Sequence, residues 1–442
     1  MKKTKTLLLI HSFILIFLLI SCSNKSANSL NDTSDSAPSI IEEVTPIVSV
    51  TSAAVHTPTA APTPLESAST YEIPVVNIAK NDIPNTESFQ FVTDMKIGWN
   101  LGNTFDAYTD APWFRDELGY ESAWNGVVTT QEMIDALIEA GFNSIRIPVS
   151  WHNHVSEDNF TISEVWLNRV QEVVDYAYNK GLYVILNTHH DVSETYYYPN
   201  STHLDSSKKY MEQIWTQLAR RFAEYDEHLI FESMNEPRLV GTNYEWWLDP
   251  NNESCMDAVK TINALNQVFV DTIRNGEGYN NSRYLMVPGY SASAQGALIK
   301  EFELPMDKIK DKLIVSVHAY TPYNFALQAL TESGSITEFS ADNQNNIKDI
   351  NQFMDQLYNK FIKNGIPVVI GEFGARDKKD NTQDRIDFAT YYIAYARANG
   401  MTCFWWDNNS FRGNGENFGL LDRKTVTWKY KEIVEGLMKY AQ

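Results

Sequence analysis

Two glutamates stand where short apolar runs end, as at the tips of buried strands. Glu236 closes residues 229–236, directly before Pro237. The proline cannot donate a ladder hydrogen bond and restricts the residue before it, so the strand ends there. Glu372 follows the apolar residues 366–371 in the same way. In a barrel of parallel strands both carboxyl groups would meet at the C-terminal rim, and such a pair can hydrolyse a glycosidic bond with retention of configuration.

Polar side chains also fall on inward-facing positions of the predicted strands, because alternate residues of a barrel strand point to the interior. On the second strand, Ile145 and Ile147 would face the helices, so Arg146 faces the interior. The same alternation places these other residues inward: Asn187, His189, Glu232, Met234, Glu236, Ser316, His318, Tyr320, Ile370 and Glu372. One Arg, two His, one Tyr and two Glu at one rim indicate a functional site, since each unpaired buried polar group costs about 1–3 kcal/mol.

Each of these side chains also has a structural interpretation. Arg146 could pair with Glu232, lower on the same inner wall, with or without a part in chemistry. His189 and His190 could bind a metal, but no third ligand follows at a familiar spacing, so no metal site is predicted. His318 alone would more often be a hydrogen-bonded core histidine. The whole set is what argues for a site.

The elements that would position these residues alternate along the chain. Short apolar runs alternate with amphipathic helical stretches, which predicts parallel strands and, with eight of them, a closed (β/α)8 TIM barrel. The predicted strands are residues 97–101, 144–148, 183–188, 229–234, 284–287, 313–318, 368–371 and 402–406. A doubly wound open sheet is the competing fold. It would need a glycine-rich phosphate loop after the first strand, and residues 98–102 do not form one.

The first 87 residues have the composition of targeting and spacer segments. Lysines precede an apolar run that ends in Leu-Ile-Ser-Cys22, which resembles the lipobox of bacterial lipoproteins, so residues 1–22 are predicted to be a lipoprotein signal peptide lipidated at Cys22. An uncleaved signal anchor or plain secretion is the alternative. Residues 23–87, rich in Ser, Thr, Ala and Pro, predict a disordered linker, and residues 88–442 the catalytic domain.

The amino-acid composition limits the classes of molecule that the protein could bind. The 442 residues carry a formal net charge of -20, which argues against nucleic acid or an anionic membrane surface and is compatible with a neutral polysaccharide. The three cysteines, Cys22, Cys255 and Cys403, include no CxxC pair and indicate neither a disulfide framework nor a zinc site. We expect a monomer without metal or organic cofactor, contacting the membrane only through an N-terminal lipid.

Six motifs, in this order along the chain, resemble those of glycoside hydrolase family 5. They are Arg146-Ile-Pro148, His189-His190, Asn235-Glu236-Pro237, His318-Ala-Tyr320, Gly371-Glu372-Phe373 and Trp405-Trp406-Asp407-Asn408. Residues 98–107 and the closing Trp-Trp-Asp-Asn are similar to subfamily 4, which is rich in endoglucanases. The resemblance extends from about residue 91 to the C-terminus.

The resemblance implies a role for each carboxyl group. Glu236 would be the general acid/base, with its pKa raised by the negative charge of Glu372. Glu372 would be the nucleophile, kept ionised by Arg146 and by a hydrogen bond from Tyr320. Separated by about 5–5.5 Å, the two groups would form a covalent glycosyl-enzyme.

The resemblance also implies a set of substrate contacts. Asn235 would bind the sugar 2-hydroxyl, and His189 and His318 would hold sugar hydroxyls and the acid/base, with His190 in the same motif. Adjacent strand residues point opposite ways, so one tryptophan of the pair packs outside the barrel; Trp406 would be the floor of the cleavage subsite. Asn103 would contact sugar further along the cleft.

The function implied is a retaining endo-β-1,4-glucanase that acts on cellulose, mixed-linkage β-glucan or xyloglucan. A mannanase or xylanase of the same clan is the alternative enzyme, because the subsites rather than the catalytic set choose the sugar. A non-catalytic surface glycan-binding barrel is the alternative outside the enzymes, and it would require a lost carboxylate. The predicted location is extracellular, either lipid-anchored at the cell surface or secreted.

Overall fold

The structure is a computed structural model that describes residues 70–442 except Pro112, Trp113 and Arg115. Eight parallel strands close into a barrel in sequence order, with β8 paired to β1, which confirms the predicted (β/α)8 fold. The strands are β1 (Ile97–Leu101), β2 (Ser144–Ile147), β3 (Tyr183–Asn187), β4 (Leu229–Glu232), β5 (Leu285–Ser293), β6 (Leu313–His318), β7 (Val368–Phe373) and β8 (Thr402–Asp407). A small antiparallel pair, β9 (Leu421–Asp422) and β10 (Thr427–Trp428), follows the barrel.

The helices surround the barrel and turn an apolar face toward it. They are α1 (Glu87–Asp94), α2 (Gln131–Glu139), α3 (Glu164–Tyr178), α4 (Leu204–Arg221), α5 (Glu253–Arg274), α6 (Ala294–Leu298), α7 (Tyr323–Ala326), α8 (Gln344–Lys360), α9 (Thr382–Ala398) and α10 (Lys431–Met438). Gly181 and Gly365 follow helical segments with φ of 81° and 86°, the left-handed conformation that glycine adopts without steric cost. None of the helices in the described part of the chain is long and apolar enough to span a bilayer.

The barrel interior holds a small apolar core that α1 closes from the N-terminal end. Phe91 of α1 stacks on Tyr284 with ring centroids 3.8 Å apart. Phe404 of β8 fills the centre, and a Cβ on its register partner Gly98 would come within 2.0 Å of the ring. Large side chains therefore fill the lower barrel, and the charged groups Arg146, Glu232 and Glu372 lie above them toward the C-terminal rim.

Two predicted inward positions are wrong. Met234 packs in the outer core between strands and helices, whereas Ile230 of β4 points inward. On β7 the inward residue is Val369, while Ile370 faces outward. Glu372 still reaches the interior because the pairing of β7 is irregular on both sides, and a bulge of this kind reverses the alternation of side chains.

The chain before α1 lies against the barrel from residue 70 onward. Val76 exchanges hydrogen bonds with the hydroxyl of Tyr440, at 2.7 and 2.9 Å. The amide N–H of Asn81 donates to Ala398 of α9 at 2.9 Å. The predicted disordered linker therefore extends too far toward the C-terminus, because its last residues hydrogen-bond to the C-terminal part of the barrel domain.

The other N-terminal predictions cannot be compared with the fold. The signal peptide, Cys22 and residues 23–69 of the linker lie outside the described residues. The two described cysteines, Cys255 and Cys403, are buried and form no disulfide. Cys403 packs in the outer core of the barrel, and burial raises the pKa of its thiol.

Candidate active site

Arg146 is the centre of the polar layer above the apolar core. Its Nε donates to Glu232 at 2.8 Å and its Nη1 to Glu372 at 2.7 Å. Nη2 donates to Asn235 at 2.8 Å, and Nη1 also reaches Asn100 at 3.0 Å. The guanidinium therefore pairs with the buried Glu232, as the structural interpretation expects, and also contacts a second carboxylate, Glu372, at the rim.

The buried carboxylate of Glu232 accepts hydrogen bonds at both of its oxygens. Besides Arg146, it accepts hydrogen bonds from the Ser316 hydroxyl at 2.5 Å and from Asn187 Nδ2 at 3.0 Å. A buried ion pair is tolerable only when its remaining hydrogen-bonding capacity is met in this way. Burial lowers the pKa of Arg146, but the charges of Glu232 and Glu372 outweigh it and raise that pKa above its ordinary value.

Glu372 lies near the C-terminal end of β7, beside β6 at the rim. Its Cα is the register partner of His318, directly after the pairing irregularity. Tyr320 donates its hydroxyl to Oε2 of Glu372 at 2.9 Å, opposite the contact of Oε1 with Arg146. Each carboxylate oxygen of Glu372 thus accepts a hydrogen bond that fixes its orientation.

Glu236 comes from the loop after β4 and faces Glu372 across His318. Nδ1 of His318 lies 2.9 Å from Oε1 of Glu236 and 3.6 Å from Oε1 of Glu372. Oxygens of the two carboxylates lie within 4.8 Å of one another. The pair predicted from two distant strand ends is therefore brought together, at a spacing that suits direct attack by one group and proton transfer by the other.

The expected raised pKa of Glu236 is wrong. Burial does raise it, but the hydrogen bond and charge of His318, together with Arg238, outweigh burial and lower the pKa. Burial lowers the pKa of His318, yet Glu372 and Glu236 raise it above the ordinary value. The expectation left out the charge of His318, whose Nδ1 lies 2.9 Å from Oε1 of Glu236. Two titratable groups this close titrate as a coupled pair rather than independently.

One wall of the cleft is aromatic and uncharged. The rings of His189 and Trp406 are parallel, with centroids 5.8 Å apart, and His190 packs edge-on against His189 at 4.4 Å. Burial lowers the pKa of His189 well below its usual value and that of His190 to about 4. Both imidazoles are neutral at pH 7 and can donate and accept hydrogen bonds. Trp405 packs in the outer core, as expected for one member of the pair.

Asn103 and Asp106 lie in the loop after β1, and Asp106 lies beside the two histidines. Asp106 brings a carboxylate within 4.8 Å of ligand atoms of His189 and His190, a third acidic group that the sequence spacing did not reveal. Residue types alone would permit a metal here. The two oxygens of Asp106, however, already accept the backbone N–H groups of Asn103 and Thr104, at 3.0 and 2.6 Å. Asp106 therefore serves to shape the loop that presents the half-buried Asn103.

Besides Asp106, two further residues of the site, Asn100 and Arg238, are not predicted from the sequence. Asn100 of β1 accepts from Arg146 and donates to the carbonyl of Gly371 at 2.9 Å, tying β1 to the strand end that carries Glu372. The alternation rule could have found it, since it shares the inner face with Gly98. Arg238 lies two residues beyond Glu236, and nothing in its sequence context marks it.

The closed eight-stranded barrel and the close carboxyl pair at its C-terminal rim define the class of (β/α)8 glycoside hydrolases. The family model for cellulase, glycosyl hydrolase family 5, matches residues 107–412. Endoglucanase 1 of Ruminococcus albus is 42% identical over 380 residues, 85% of this chain and 87% of the relative. The chain belongs to glycoside hydrolase family 5, and it is an endo-β-1,4-glucanase whose substrate is a polysaccharide.

Solved structures agree with this assignment. A family 5 lichenase from Caldicellulosiruptor sp. F32 is 62% identical and superposes with a TM-score of 0.83, covering 84% of this chain and all of its own. A GH5-4 broad specificity endoglucanase from Ruminococcus champanellensis, solved with bound cellotriose, is 42% identical with a TM-score of 0.74. It covers 81% of this chain and 100% of its own.

Proposed function

We propose that this enzyme hydrolyses β-glucans by double displacement, with Glu372 as nucleophile and Glu236 as general acid/base. In the first step a Glu372 oxygen bonds to the anomeric carbon while the glycosidic C–O bond breaks and Glu236 gives its proton to the leaving oxygen. In the second step Glu236 takes a proton from water, which attacks the same carbon and releases Glu372. The observation that carries the proposal is the approach of the two carboxylates to within 4.8 Å.

The surrounding groups suit these two steps. Arg146 and Tyr320 hold Glu372 ionised and aimed, at 2.7 and 2.9 Å. The amide of Asn235, oriented by Arg146, is the donor for the sugar 2-hydroxyl. Interactions that strengthen as positive charge develops at the sugar lower the barrier rather than merely bind substrate.

The substrate side of the cleft is assigned in the same proposal. Trp406 offers a ring for the apolar face of the sugar at the cleavage point, and His189 and His190 beside it offer neutral hydrogen-bonding groups. Asn103, in the loop shaped by Asp106, would bind sugar hydroxyls away from the scissile bond. Neutral polar groups of this kind match an uncharged glucan rather than an acidic polysaccharide.

We propose cellulose chains, mixed-linkage β-glucan and xyloglucan as substrates, as expected for subfamily 4. The broad-specificity and lichenase neighbours support this range. Reducing-sugar release from carboxymethylcellulose, barley β-glucan, xyloglucan, mannan and xylan tests the choice. Activity on the glucans with little on mannan or xylan is the expected result. Hydrolysis of mannan or xylan alone would identify a mannanase or xylanase instead.

A substitution of the proposed nucleophile tests catalysis separately from glycan binding. The variant Glu372→Ala should still bind cello-oligosaccharides in a calorimeter but lose hydrolysis by several orders of magnitude. Hydrolysis at the wild-type rate by this variant would leave a non-catalytic glycan-binding barrel as the better interpretation.

We further propose that the protein acts outside the cell as a monomer, attached by a lipid on Cys22. The lipobox-like sequence before Cys22 supports the attachment, and the complete site within one chain supports the monomer. Cys22→Ala should move the protein from the membrane fraction to the medium or block its maturation. Unchanged membrane fractionation of that variant would exclude the lipid anchor.

A further inference from the structure

The loop between β4 and α5 carries an arginine that contacts both Glu236 and an exposed tryptophan. Nη1 of Arg238 donates to the backbone carbonyl of Glu236 at 3.0 Å and lies 3.8 Å from its carboxylate. The same guanidinium lies over the ring of Trp246, 4.0 Å from its centroid. Arg238 is 9% exposed and Trp246 is 53% exposed. The arginine is therefore a buried link between the acid/base and an aromatic surface open to solvent.

Further hydrogen bonds within the loop hold Arg238 and its neighbours in place. Glu245 accepts a hydrogen bond from Nε of Arg238 at 3.4 Å, and its other oxygen accepts from the N–H of Gly241 at 3.0 Å. The hydroxyl of Tyr290 closes the loop by donating to the carbonyl of Tyr244 at 2.6 Å. The indole is therefore fixed in place, so a ligand stacking on it would lose little conformational entropy.

The position of this surface decides which part of a glucan could reach it. In the proposed mechanism the sugar attacked by Glu372 would stack at the wall of His189 and Trp406. The sugar that departs with a proton from Glu236 would lie beyond the scissile bond on the side of the β4–α5 loop, because Glu236 and Trp246 belong to that same loop. An exposed indole there can stack on the apolar C–H face of a glucose ring.

We propose that Trp246 is the stacking platform for the leaving part of the glucan chain, and that Arg238 is a positioning residue that couples this platform to Glu236. The proposal rests on the proposed role of Glu236. Binding of the leaving sugar would then fix the group that must protonate it. The ring of Trp246 stacks between the guanidinium and the sugar, an arrangement in which both contacts favour the same indole orientation.

Comparing two substrates distinguishes a role in binding and protonating the leaving sugar from a general loss of catalytic activity. In cellohexaose the glycosidic C–O bond breaks with a proton from Glu236, and glucose units lie beyond the scissile bond. In β-cellobiosyl fluoride the C–F bond breaks as Glu372 bonds to the anomeric carbon. Fluoride leaves as an anion without needing that proton, and no sugar lies on the leaving side. For both substrates kcat/KM reports the step that forms the glycosyl-enzyme.

Trp246→Ala should lower kcat/KM for cellohexaose about tenfold and leave kcat/KM for the fluoride within about twofold of wild type. Trp246→Phe, which keeps a ring over the guanidinium, should lose less. Tyr279→Ala is the matched control: it removes another exposed aromatic, from the opposite end of the barrel before β5, and should change neither value.

Arg238→Ala should show the same selectivity, with a loss on cellohexaose at least as large, and Arg238→Lys should restore only part of it. If the two residues act as a unit, the double variant Trp246→Ala/Arg238→Ala should be no worse than about the more damaging single change. Equal losses on both substrates, no loss on cellohexaose, or independent multiplicative losses would overturn the proposal. If the wild-type enzyme cleaved the fluoride but no β-1,4-glucan, the proposed function would fail instead.

Discussion

Arg146 and Glu232 form an ion pair that is closed to solvent, with Nη2 and Oε2 2.7 Å apart and neither side chain exposed. Such a pair contributes little net stability, because desolvation of the two charges offsets their attraction. Its value lies in orientation, since the guanidinium that neutralises Glu232 also directs Nη1 at Glu372. The structural pair and the reactive carboxylate are consequently linked through one side chain.

Replacing Arg146 by an uncharged residue should show how far Glu232 and Glu372 depend on its charge. Arg146→Met leaves Glu232 buried without its partner and should lower the free energy of unfolding by about 3–5 kcal/mol in a urea titration. The double variant Arg146→Met/Glu232→Met should recover much of that loss but stay inactive, because Glu372 still lacks its contact with the guanidinium. A single variant as stable as wild type would show that Arg146 is not needed to compensate Glu232.

The hydroxyl of Tyr320 should matter for turnover rather than for stability. Tyr320→Phe removes the 2.9 Å hydrogen bond to Glu372, a charged acceptor, and should lower kcat/KM about 10- to 100-fold. Tyr392→Phe is a matched control, since that hydroxyl donates only to the carbonyl of Ala319. The control should keep its activity and lose about 1 kcal/mol of stability. Equal activity losses in both variants would argue against a specific contact with the nucleophile.

The stereochemistry of azide rescue should assign the two carboxyl groups separately. With 2,4-dinitrophenyl β-cellobioside, Glu372→Ala should accept azide on the face left by the nucleophile and give the α-glycosyl azide. Glu236→Ala should still form the glycosyl-enzyme and give the β-glycosyl azide. Proton NMR of the products distinguishes the two anomers. The reverse pattern would exchange the roles assigned to Glu236 and Glu372.

The pH profile should reflect the raised pKa of His318. Because Glu372 and Glu236 raise that pKa above its ordinary value of 6.5, the pair of His318 and Glu236 keeps its proton to higher pH than a free histidine would. The alkaline limb of kcat/KM on cellohexaose should therefore lie above pH 6.5, with activity falling as the pair deprotonates. β-Cellobiosyl fluoride, which needs no proton, should lack this limb. An alkaline limb near the ordinary carboxyl range would contradict proton sharing with His318.

Much of the fold follows from local patterns. All eight strands and the closed barrel were predicted, because apolar runs of strand length alternate with amphipathic stretches that end at glycines such as Gly181. The domain boundary was misplaced because residues 70–87 have the composition of a linker. Tertiary contacts, such as those of Val76 with Tyr440 and of Asn81 with Ala398, show that these residues belong to the domain.

The sequence by itself determined which chemistry was possible, since Glu236 and Glu372 lie at strand ends and parallel strands bring such ends to one rim. The tertiary structure decided the rest. The irregular pairing of β7, not simple alternation, turns Glu372 inward, and the hydrogen bond and charge of His318 lower the pKa of Glu236 against the effect of burial. Arg238 contacts Glu236 and Trp246 only because the folded loop brings them together. The reason is that strand alternation is a local property, whereas a bulge, a pKa shift and a stacked guanidinium depend on the tertiary contacts of each group.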